Sequence, residues 1–395
     1  MEVDKNMELY RSTEILSLVV GNPEAEKTDY TAYRIPGVVV SKTGTVLIYW
    51  ECRNYDKNRK GQPGVPSDEC LMDLIVRRST DGGKSFGESI FVARGEEFYR
   101  AGFGETIDNP VMFVGNDGRL HLLFCCDGGA CGVWYSYSDD DGLTWTQPRN
   151  IVEFLSRHKW NKMGLGPGHG ICLRHGDHVG RFIVSAWMWD EDHPAEPGAP
   201  FYTRVTTIYS DDNGETWQMG ELASMNHDET CIAELSDGSV MLNSRQFSFP
   251  YCECDPPRTE EEAYRAVIVS RNGEDGWSET CFDKTLIDPS CEGSICSADL
   301  EKFGHVLLFS NCASKLKRFD LTVRCSFDDG KTWMEDTLYL DHIGWYSDIA
   351  IDEKNGRVYV LHEDASITGG RKMCMELFVF SFYDQFGKKR KGEPI

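Results

Sequence analysis

The sequence predicts an all-β protein, a six-bladed β-propeller, in a chain of 395 residues. Three observations support this prediction: a hairpin pattern occurs six times, a turn-forming octapeptide falls between successive hairpins, and no long helical pattern interrupts them. Four strands with their turns make a repeat of about 60 residues, which is the size of one propeller blade. We therefore expect one large domain instead of the two or three that the chain length would allow.

Each hairpin is a run of apolar residues, a short polar turn usually centred on glycine, and a second apolar run. The copies lie at 37–50, 110–124, 171–187, 231–243, 295–311 and 349–362. Their starts are separated by 73, 61, 60, 64 and 54 residues. This nearly constant spacing predicts one hairpin in each of six blades.

The octapeptide has serine at its first position, aspartate at its third, glycine at its fifth, threonine or serine at its seventh and an aromatic residue at its eighth. Full copies lie at 79–86, 138–145, 210–217 and 326–333, and a degenerate copy lies at 270–277. Aspartate and serine side chains bond nearby backbone groups in turns, and glycine adopts positive φ there. We interpret the octapeptides as structural turns whose aspartates face solvent and are not catalytic.

The repeats also suggest how the chain is divided. We expect the propeller to occupy residues 30–385, with residues 1–29 closing the ring by strand pairing and residues 386–395 forming a charged, frayed tail. No run of about 18 apolar residues is present, so we expect no helix to cross a membrane. The N-terminus also lacks the basic and apolar regions of a signal peptide.

The composition restricts the possible partners. The chain has 41 lysines and arginines against 64 aspartates and glutamates, a formal net charge of −23, so most of its surface would repel a nucleic acid. An anionic ligand would therefore need a local basic pocket. The 15 cysteines are expected to be reduced, buried thiols, which favours a cytoplasmic protein, or a secreted one whose leader was removed. We expect no metal, because the paired C-x-x-C spacing of zinc sites is missing from Cys125, Cys126, Cys131, Cys252 and Cys254.

Propeller topology predicts which residues meet at one end of the central axis. Residues just before the first strand of a hairpin and just after its second strand lie at the same end, because a hairpin returns the chain. The residues before the hairpins are Arg34, Asp108, His169, Glu229, Glu292 and Tyr346. The residues after them are Arg53, Asp127, Trp189, Arg245, Asn311 and Glu363. A binding site is expected at this end, which is rich in arginine and carboxylate.

Several motifs resemble the exo-α-sialidases, or neuraminidases, of bacterial and animal type. They are YRIP at 33–36, the octapeptides (the Asp boxes of that family), ELSDGSVMLNSR at 234–245 and the segment 318–333. The resemblance extends from Tyr33 to about Tyr383. It implies a six-bladed propeller that hydrolyses terminal sialic acids with retention of configuration, without a metal or an organic cofactor.

The resemblance assigns three arginines to the carboxylate of sialic acid. Arg34 belongs to the RIP motif, Arg245 closes the L-N-x-R segment, and Arg318 precedes the last full Asp box. Lys317 and Arg324 are neighbouring alternatives to Arg318. A guanidinium is planar, permanently charged and bidentate, so it matches a carboxylate.

The resemblance also implies a catalytic pair of tyrosine and glutamate. Glu229 lies sixteen residues before Arg245, with Glu234 as a competitor, and Tyr346 lies in the matching aromatic-Tyr-Ser segment. The sugar carries a carboxylate on its anomeric carbon, which would repel a carboxylate nucleophile, whereas a phenol is neutral until a base activates it. We expect Tyr346 to be the nucleophile and Glu229 its base.

The expected general acid is Asp68, with Glu69 and Asp73 as alternatives in the same stretch. The polar segment 53–69 contains glycine and proline, as a long loop does. Closure of this loop over the pocket is expected to desolvate Asp68 partly and to raise its pKa toward the value that a general acid needs.

Further residues are expected around the rest of the pocket. Arg53 matches a family arginine on the O4 side of the sugar, although the family more often has Ala-Glu-x-Arg there, so the role of Glu51 stays open. Asp108, Trp189 and Glu292 are candidates from topology alone, for the pockets that receive the N-acyl or glycerol group.

The main hypothesis is a retaining exo-α-sialidase that acts on sialylated oligosaccharides, glycoproteins or glycolipids. The same pocket could instead transfer the sugar to its own glycerol hydroxyl or to another sugar, as a trans-sialidase. A non-catalytic sialic-acid-binding propeller would lack the acid or the nucleophile, whereas Asp68, Glu229 and Tyr346 are all present. A protein-binding Asp-box scaffold gives no reason for three arginines and a Glu–Tyr pair at one end of the axis.

Overall fold

The computed structural model describes residues 15–57, 68–190, 203–225, 227–246, 263–315, 317–335 and 337–387. Within these ranges the strands form six sheets, and the inner strands of neighbouring sheets contact one another around a central axis. The prediction of an all-β, six-bladed β-propeller is therefore confirmed.

The first three blades follow one another along the chain, whereas strand β1 (Leu16–Gly21) belongs to the last blade. Blade 1 consists of β2 (Ala32–Val40), β3 (Val46–Asn54), β4 (Leu71–Ser79) and β5 (Ile90–Arg94). Blade 2 consists of β6 (Ile107–Val114), β7 (Leu120–Cys126), β8 (Val133–Ser138) and β9 (Arg149–Asn150), with β11 (Gly168–His169) parallel to β6. Blade 3 consists of β10 (Trp160–Leu165), β13 (Phe182–Asp190), β14 (Thr203–Ser210) and β15 (Gln218–Met219), with β12 (Ile171–Cys172) beside β13 and β16 (Ser224–Met225) beside β14.

The remaining three blades are regular four-stranded antiparallel sheets. Blade 4 consists of β17 (His227–Glu234), β18 (Val240–Gln246), β19 (Tyr264–Ser270) and β20 (Cys281–Ile287). Blade 5 consists of β21 (Ser294–Leu300), β22 (Gly304–Cys312), β23 (Phe319–Ser326) and β24 (Leu338–Ile343). Blade 6 consists of β25 (Ser347–Asp352), β26 (Arg357–Asp364), β27 (Cys374–Ser381) and the N-terminal β1.

Helical segments are short throughout the described part of the chain. They are the α-helix α1 (Gly95–Arg100), three 3₁₀ turns (Tyr55–Lys57, Val152–Phe154 and Ser366–Thr368) and a π turn (Tyr383–Gly387). No helix in the described ranges has the length and apolar character needed to cross a membrane.

Apolar side chains between neighbouring sheets hold the blades together. Strand β3 is buried along its whole length, which explains why its sequence, VLIYWECRN, begins as a nearly continuous apolar run. Clusters of buried side chains fill the interfaces between successive blades. For example, Leu47 and Tyr49 of blade 1 belong to the same cluster as Met112 and Leu122 of blade 2. Each blade is therefore covered on both faces.

Each Asp box begins at the last residue of the third strand of a blade and turns the chain toward the fourth. In the box at 138–145, Ser138 Oγ donates to Asp140 Oδ1 at 2.8 Å, and the Gly142 N–H donates to Ser138 Oγ at 2.9 Å. Gly142 has φ +81°, in the region that favours glycine. The same two bonds recur in the boxes at 79–86, 210–217 and 326–333. Because third strands end opposite to where inner strands begin, the boxes lie at the far end of the axis from the expected site.

The N-terminal strand supplies the outermost strand of the last blade. Strand β1 pairs antiparallel with β27, with Leu16 opposite Val379. The first and last parts of the described chain thus meet in one sheet, which closes the ring. The division of the chain at residues 30 and 385 stays a prediction, and residues 388–395 of the expected tail lie outside the described residues.

Candidate active site

A cavity of about 590 Å³ opens at the end of the axis where the inner strands begin, and its size is ordinary for a small-molecule site. All six blades contribute to its wall, which is rich in charged side chains. The wall consists of Arg34, Ile35, Arg53, Asp68, Glu69, Glu105, Thr106, Asp108, Asn109, Asp127, Gly128, Asn161, Lys162, Trp187, Trp189, Glu229, Arg318 and Tyr346. Six of the seven predicted site residues are among them, and the seventh, Arg245, contacts two residues of the wall from behind.

A buried carboxylate fixes the orientation of Arg34. Its Nε lies 2.6 Å from Glu363 Oε1, and the same oxygen accepts the Ile35 backbone N–H at 2.8 Å. Ile35 has φ +58°, a conformation that residues other than glycine rarely adopt, at the point where the pairing of β2 with β3 is irregular. The Glu363 carboxylate thus holds both the backbone at this irregularity and the guanidinium that projects from it.

Arg245 is the most buried of the three predicted carboxylate-binding arginines. Its Nε donates to Asp228 Oδ1 at 2.8 Å, and its Nη2 lies 2.5 Å from Asp228 Oδ2. Its Nη1 lies 2.6 Å from Glu229 Oε2 and donates to Tyr346 Oη at 3.0 Å. Arg245 therefore connects blade 4 to the tyrosine at the start of blade 6 through its Nη1, while Asp228, a carboxylate that sequence reasoning did not single out, holds the guanidinium in a bidentate pair.

Arg318 differs from the other two arginines because its main contacts are aromatic. Its Cζ lies 5.0 Å from the centroid of the Trp345 ring and 5.3 Å from that of the Tyr346 ring. It donates a long hydrogen bond of 3.5 Å to the Ser290 carbonyl oxygen, and it forms no ion pair with any described residue. Its positive charge is therefore available to an incoming carboxylate.

Tyr346 and Glu229 are in direct contact in the cavity. The Tyr346 hydroxyl donates to Glu229 Oε1 at 2.5 Å. Burial raises the pKa of the Tyr346 phenol well above its ordinary value, against the opposing effect of the Arg245 guanidinium. Burial also raises the pKa of the Glu229 carboxyl, and Arg245 again opposes the rise. The phenol is thus neutral at rest, and the carboxylate beside it is positioned and basic enough to accept its proton.

Asp68 lies at the cavity in an ion pair with Arg53. Arg53 Nη1 is 2.5 Å from Asp68 Oδ1, and the Asp68 side chain is 79% exposed. The Arg53 guanidinium lowers the pKa of Asp68 to about 2. The expectation of a raised pKa is therefore wrong, because the nearby positive charge outweighs desolvation. The alternative acid Glu69 also lines the cavity, and residues 58–67 of the expected loop lie outside the described residues.

Glu51, whose role the sequence left open, anchors Arg53 from the buried side. Its Oε2 lies 2.6 Å from Arg53 Nη2, and its Oε1 accepts the Asn109 N–H of blade 2 at 2.7 Å. Burial raises the pKa of the Glu51 carboxyl, and Arg53 counteracts this rise. Arg53 is thus held between a buried carboxylate of its own strand and the exposed carboxylate of Asp68.

The three side-pocket candidates lie in different places. Asp108 and Trp189 are part of the cavity wall, whereas Glu292 lies behind it and accepts the Ser347 N–H at 2.8 Å. Asp108 is buried, and this burial, together with the negative charge of Glu51, raises its pKa to about 7. Asp108 can therefore exchange a proton near neutral pH within the cavity.

His169 does not line the cavity, so its predicted place on the rim is wrong. Its Nδ1 lies 2.8 Å from Oδ1 of Asp348, a fully buried residue of the innermost strand of blade 6. The reason is that residues 168–169 form β11, which pairs in parallel with blade 2 instead of starting blade 3. The prediction assumed that His169 directly precedes the first strand of a hairpin, and this is not the case when its strand pairs in parallel with another blade.

Apart from Glu69, the residues that competed with predicted site residues are bound elsewhere. Glu234 accepts two backbone N–H groups of the blade 3 turn, and Asp73 accepts the Tyr30 hydroxyl. Lys317 lies over the ring of Phe319 at the start of the following strand, and Arg324 donates to an asparagine of the neighbouring strand. None of the four competitors belongs to the cavity wall described above.

Of the part of the wall that blade 3 contributes, sequence reasoning found Trp189 and missed the rest. Asn161 and Lys162 lie on β10, and Trp187 lies on β13. The segment WNKMGL of β10 has too few apolar residues to be recognised as a strand, so the hairpin at 171–187 was taken as the start of the blade. In the structure the first half of this strand is partly exposed and its second half is buried.

Fold and cavity together define a six-bladed propeller with an arginine-lined site on its axis. Residues 66–360 match the family model described as a BNR repeat-like domain. Because this match covers most of the chain, the chain belongs to that family.

Several curated proteins similar to this chain are sialidases. A sialidase of Micromonospora viridifaciens is 32% identical over 322 residues, which cover 76% of this chain and 45% of that protein. A sialidase of Bacteroides fragilis (strain YCH46) is 28% identical over 377 residues, which cover 88% of this chain and 62% of that protein. The chain therefore spans about half to two thirds of the length of these relatives, and the resemblance to the sialidase family is confirmed.

Solved structures show the same fold. The Hadza microbial sialidase Hz136 superposes with a TM-score of 0.74 at 24% identity, over 93% of this chain and 68% of that chain. The intramolecular trans-sialidase from Ruminococcus gnavus in complex with oseltamivir carboxylate superposes with a TM-score of 0.66 at 15% identity, over 93% of this chain and 97% of that chain. At these identities the likeness establishes the architecture alone.

Proposed function

We propose that this protein is a retaining exo-α-sialidase, a glycoside hydrolase that releases terminal sialic acids from oligosaccharides, glycoproteins or glycolipids. The observation that carries the proposal is the contact of Tyr346 with Glu229 in an arginine-lined cavity. A neutral phenol beside a buried base suits a sugar that already carries a carboxylate at its reacting carbon. The curated relatives named sialidases support the same substrate class.

The arginines provide a preformed site for the substrate carboxylate. Arg34 and Arg245 are held by the carboxylates of Glu363 and Asp228, so their orientation is set before the substrate arrives. Arg318 supplies a positive charge that no described carboxylate neutralises. Groups fixed in this way stabilise an oxocarbenium-like transition state without having to reorganise as charge develops.

Three residues carry the proposed chemistry. In the first step Tyr346 attacks the anomeric carbon while Glu229 takes its proton, and the departing glycosidic oxygen is protonated by Asp68, of which only a small fraction carries a proton above about pH 2. In the second step the ionised Asp68 takes a proton from water, and this water attacks the anomeric carbon of the tyrosyl glycoside. Glu229 then returns the proton to Tyr346, and two displacements at the same carbon leave its configuration unchanged.

The Asp68→Asn variant tests this assignment, because it should discriminate between leaving groups. On 3′-sialyllactose its kcat/KM should fall by about a hundredfold or more, since general acid catalysis contributes about 10² to 10⁴. On 4-methylumbelliferyl α-sialoside the loss of kcat/KM should be less than about tenfold, because kcat/KM reports only the steps up to departure of the leaving group, and a phenolic leaving group needs little protonation. Steady-state kinetics on both substrates measures the difference.

The wild-type protein should show a matching pH dependence. Asp68 loses its proton as the pH rises above about 2, so the ratio of kcat/KM on 3′-sialyllactose to kcat/KM on the 4-methylumbelliferyl substrate should fall with rising pH. Taking the ratio cancels the titration of Glu229.

The matched control for Asp68→Asn is Asp139→Asn, because Asp139 is an exposed partner of Arg119 that is not in the cavity wall. Equal losses on both substrates would contradict the acid role, and a wild-type protein that releases no sialic acid would contradict the function itself.

A further inference from the structure

Lys162 is a cation in the cavity wall to which the proposed chemistry gives no task. Its half-buried side chain comes from β10 of blade 3, opposite Trp189 in the pairing of β10 with β13. Its Nζ lies 5.1 Å from the centroid of the Trp189 ring, within cation–π range. A Cβ atom on Gly128 would lie 3.1 Å from Lys162 Cε, so the glycine leaves room for the lysine to extend across blade 2.

The cations of the wall differ in how they are neutralised. Arg34 and Arg53 each pair with at least one carboxylate. Arg318 and Lys162 form no ion pair with any residue in the described ranges. In the proposed function Arg318 binds the carboxylate of the sialic acid, whereas no group of the substrate has yet been assigned to Lys162.

Lys162 faces a different part of the cavity from the three arginines that bind the carboxylate. All three contact Tyr346: the guanidinium carbons of Arg34 and Arg318 lie 5.2 and 5.3 Å from its ring, and Arg245 bonds its hydroxyl at 3.0 Å. Lys162 instead extends from blade 3 toward Gly128 of blade 2 and lines the same cavity as the proposed acid, and its charge, after those of Arg53 and Arg34, helps to lower the pKa of Asp68. The side of the cavity next to the proposed acid is the side from which the leaving sugar departs.

We propose that Lys162 and Trp189 form a second anion subsite, which binds a carboxylate or sulfate group on the sugar next to the terminal sialic acid. This inference rests on the proposed sialidase function and adds a substrate class to it. Sialosides with two negative charges would be repelled by a chain of net charge −23 unless a local cation compensated for their second charge. The Lys162 ammonium, held against the Trp189 ring, is such a cation. A lysine ammonium is a compact point charge, so it can bind either a carboxylate or a sulfate.

The test compares three substrates in the wild type and in Lys162→Gln. They are 3′-sialyllactose, the same trisaccharide with a 6-sulfate on galactose, and disialyllactose, whose penultimate sugar is itself a sialic acid. We expect the wild type to favour one or both dianionic substrates, and Lys162→Gln to lower kcat/KM on them by about tenfold, as for loss of a charge-assisted hydrogen bond. Activity on 3′-sialyllactose should change by less than about threefold. Comparing variant with wild type on each substrate removes the effect of linkage.

Lys302→Gln is the matched control, because this exposed lysine also lies over an aromatic ring, 5.8 Å from the centroid of Tyr383, outside the cavity wall. It should behave as the wild type on all three substrates. A loss confined to the sulfated substrate assigns the subsite to sulfate, and one confined to disialyllactose assigns it to carboxylate. Equal effects of Lys162→Gln on all substrates, with or without a shifted pH profile, would overturn the subsite and leave the sialidase function intact. Failure of the wild type to release sialic acid from any of the three would instead overturn the function.

Discussion

Replacing Tyr346 by phenylalanine is expected to lower kcat on every sialoside by about a thousandfold or more. The substitution keeps the buried ring and removes only the hydroxyl that donates to Glu229 and accepts from Arg245. Without this oxygen no glycosyl–enzyme bond can form. Steady-state rates on 4-methylumbelliferyl α-sialoside, whose leaving group depends little on Asp68, measure the loss of the nucleophile directly.

Tyr339→Phe is the matched control, because this tyrosine is 51% exposed on β24 and does not line the cavity. It should retain wild-type rates. Sialic acid should still raise the melting temperature of Tyr346→Phe, since the arginines remain and ligand binding stabilises the folded state. A near-normal kcat in this variant would rule out a tyrosine nucleophile.

Arg245→Gln is expected to lower the free energy of unfolding by about 3 to 5 kcal/mol, because removing one partner of a buried ion pair leaves the other charge uncompensated. Asp228 and Glu229 would both lose their ion pair with Arg245, whose nitrogens lie 2.5 Å from Asp228 Oδ2 and 2.6 Å from Glu229 Oε2. Arg318→Gln should change the free energy of unfolding by less than about 1 kcal/mol, since Arg318 forms no ion pair with the described residues. Chemical denaturation of the two variants measures the contrast.

The two arginine variants also differ in what they reveal about binding. Arg318→Gln, which should fold normally, is expected to lower kcat/KM by about 10- to 100-fold through loss of a charge-assisted contact with the substrate.

The loss of stability in Arg245→Gln should become smaller as the pH falls. Without the guanidinium the pKa of the partner carboxylate rises, and protonation then removes the uncompensated charge. An Arg245→Gln variant as stable as the wild type, or an Arg318→Gln variant with unchanged kcat/KM, would contradict these roles.

The architecture could be predicted from the sequence because each blade repeats the same local signals. A hairpin of apolar runs marks the inner strands, and the Asp box marks the turn after the third strand, so position along the chain translates into position around the axis. Residues next to these signals, such as Arg34, Glu229 and Arg245, were therefore placed at the correct end. Blade 3 departs from the pattern, and there the prediction of His169 on the rim was wrong and Lys162 was missed.

The electrostatics of the site could not be predicted, because they depend on contacts between distant parts of the chain. Arg53 lowers the pKa of Asp68, and its position is fixed by Glu51, which in turn accepts the Asn109 N–H of the next blade. The bidentate partner of Arg245 is Asp228, whose neighbour Glu229 was the residue that the motif indicated. Such pairings follow from side-chain directions in the folded sheets, which spacing in the sequence does not specify.

The proposed retaining hydrolysis is tested most directly by proton NMR of the first sugar released from 3′-sialyllactose, recorded before the product mutarotates. Two successive displacements through Tyr346 predict that the α anomer of free sialic acid appears first and converts to the β anomer afterwards. Release of the β anomer first would show a single displacement by water and would contradict the covalent intermediate. Formation of a 2,7-anhydro sugar instead of free sialic acid would show transfer to the glycerol hydroxyl of the substrate and would contradict hydrolysis.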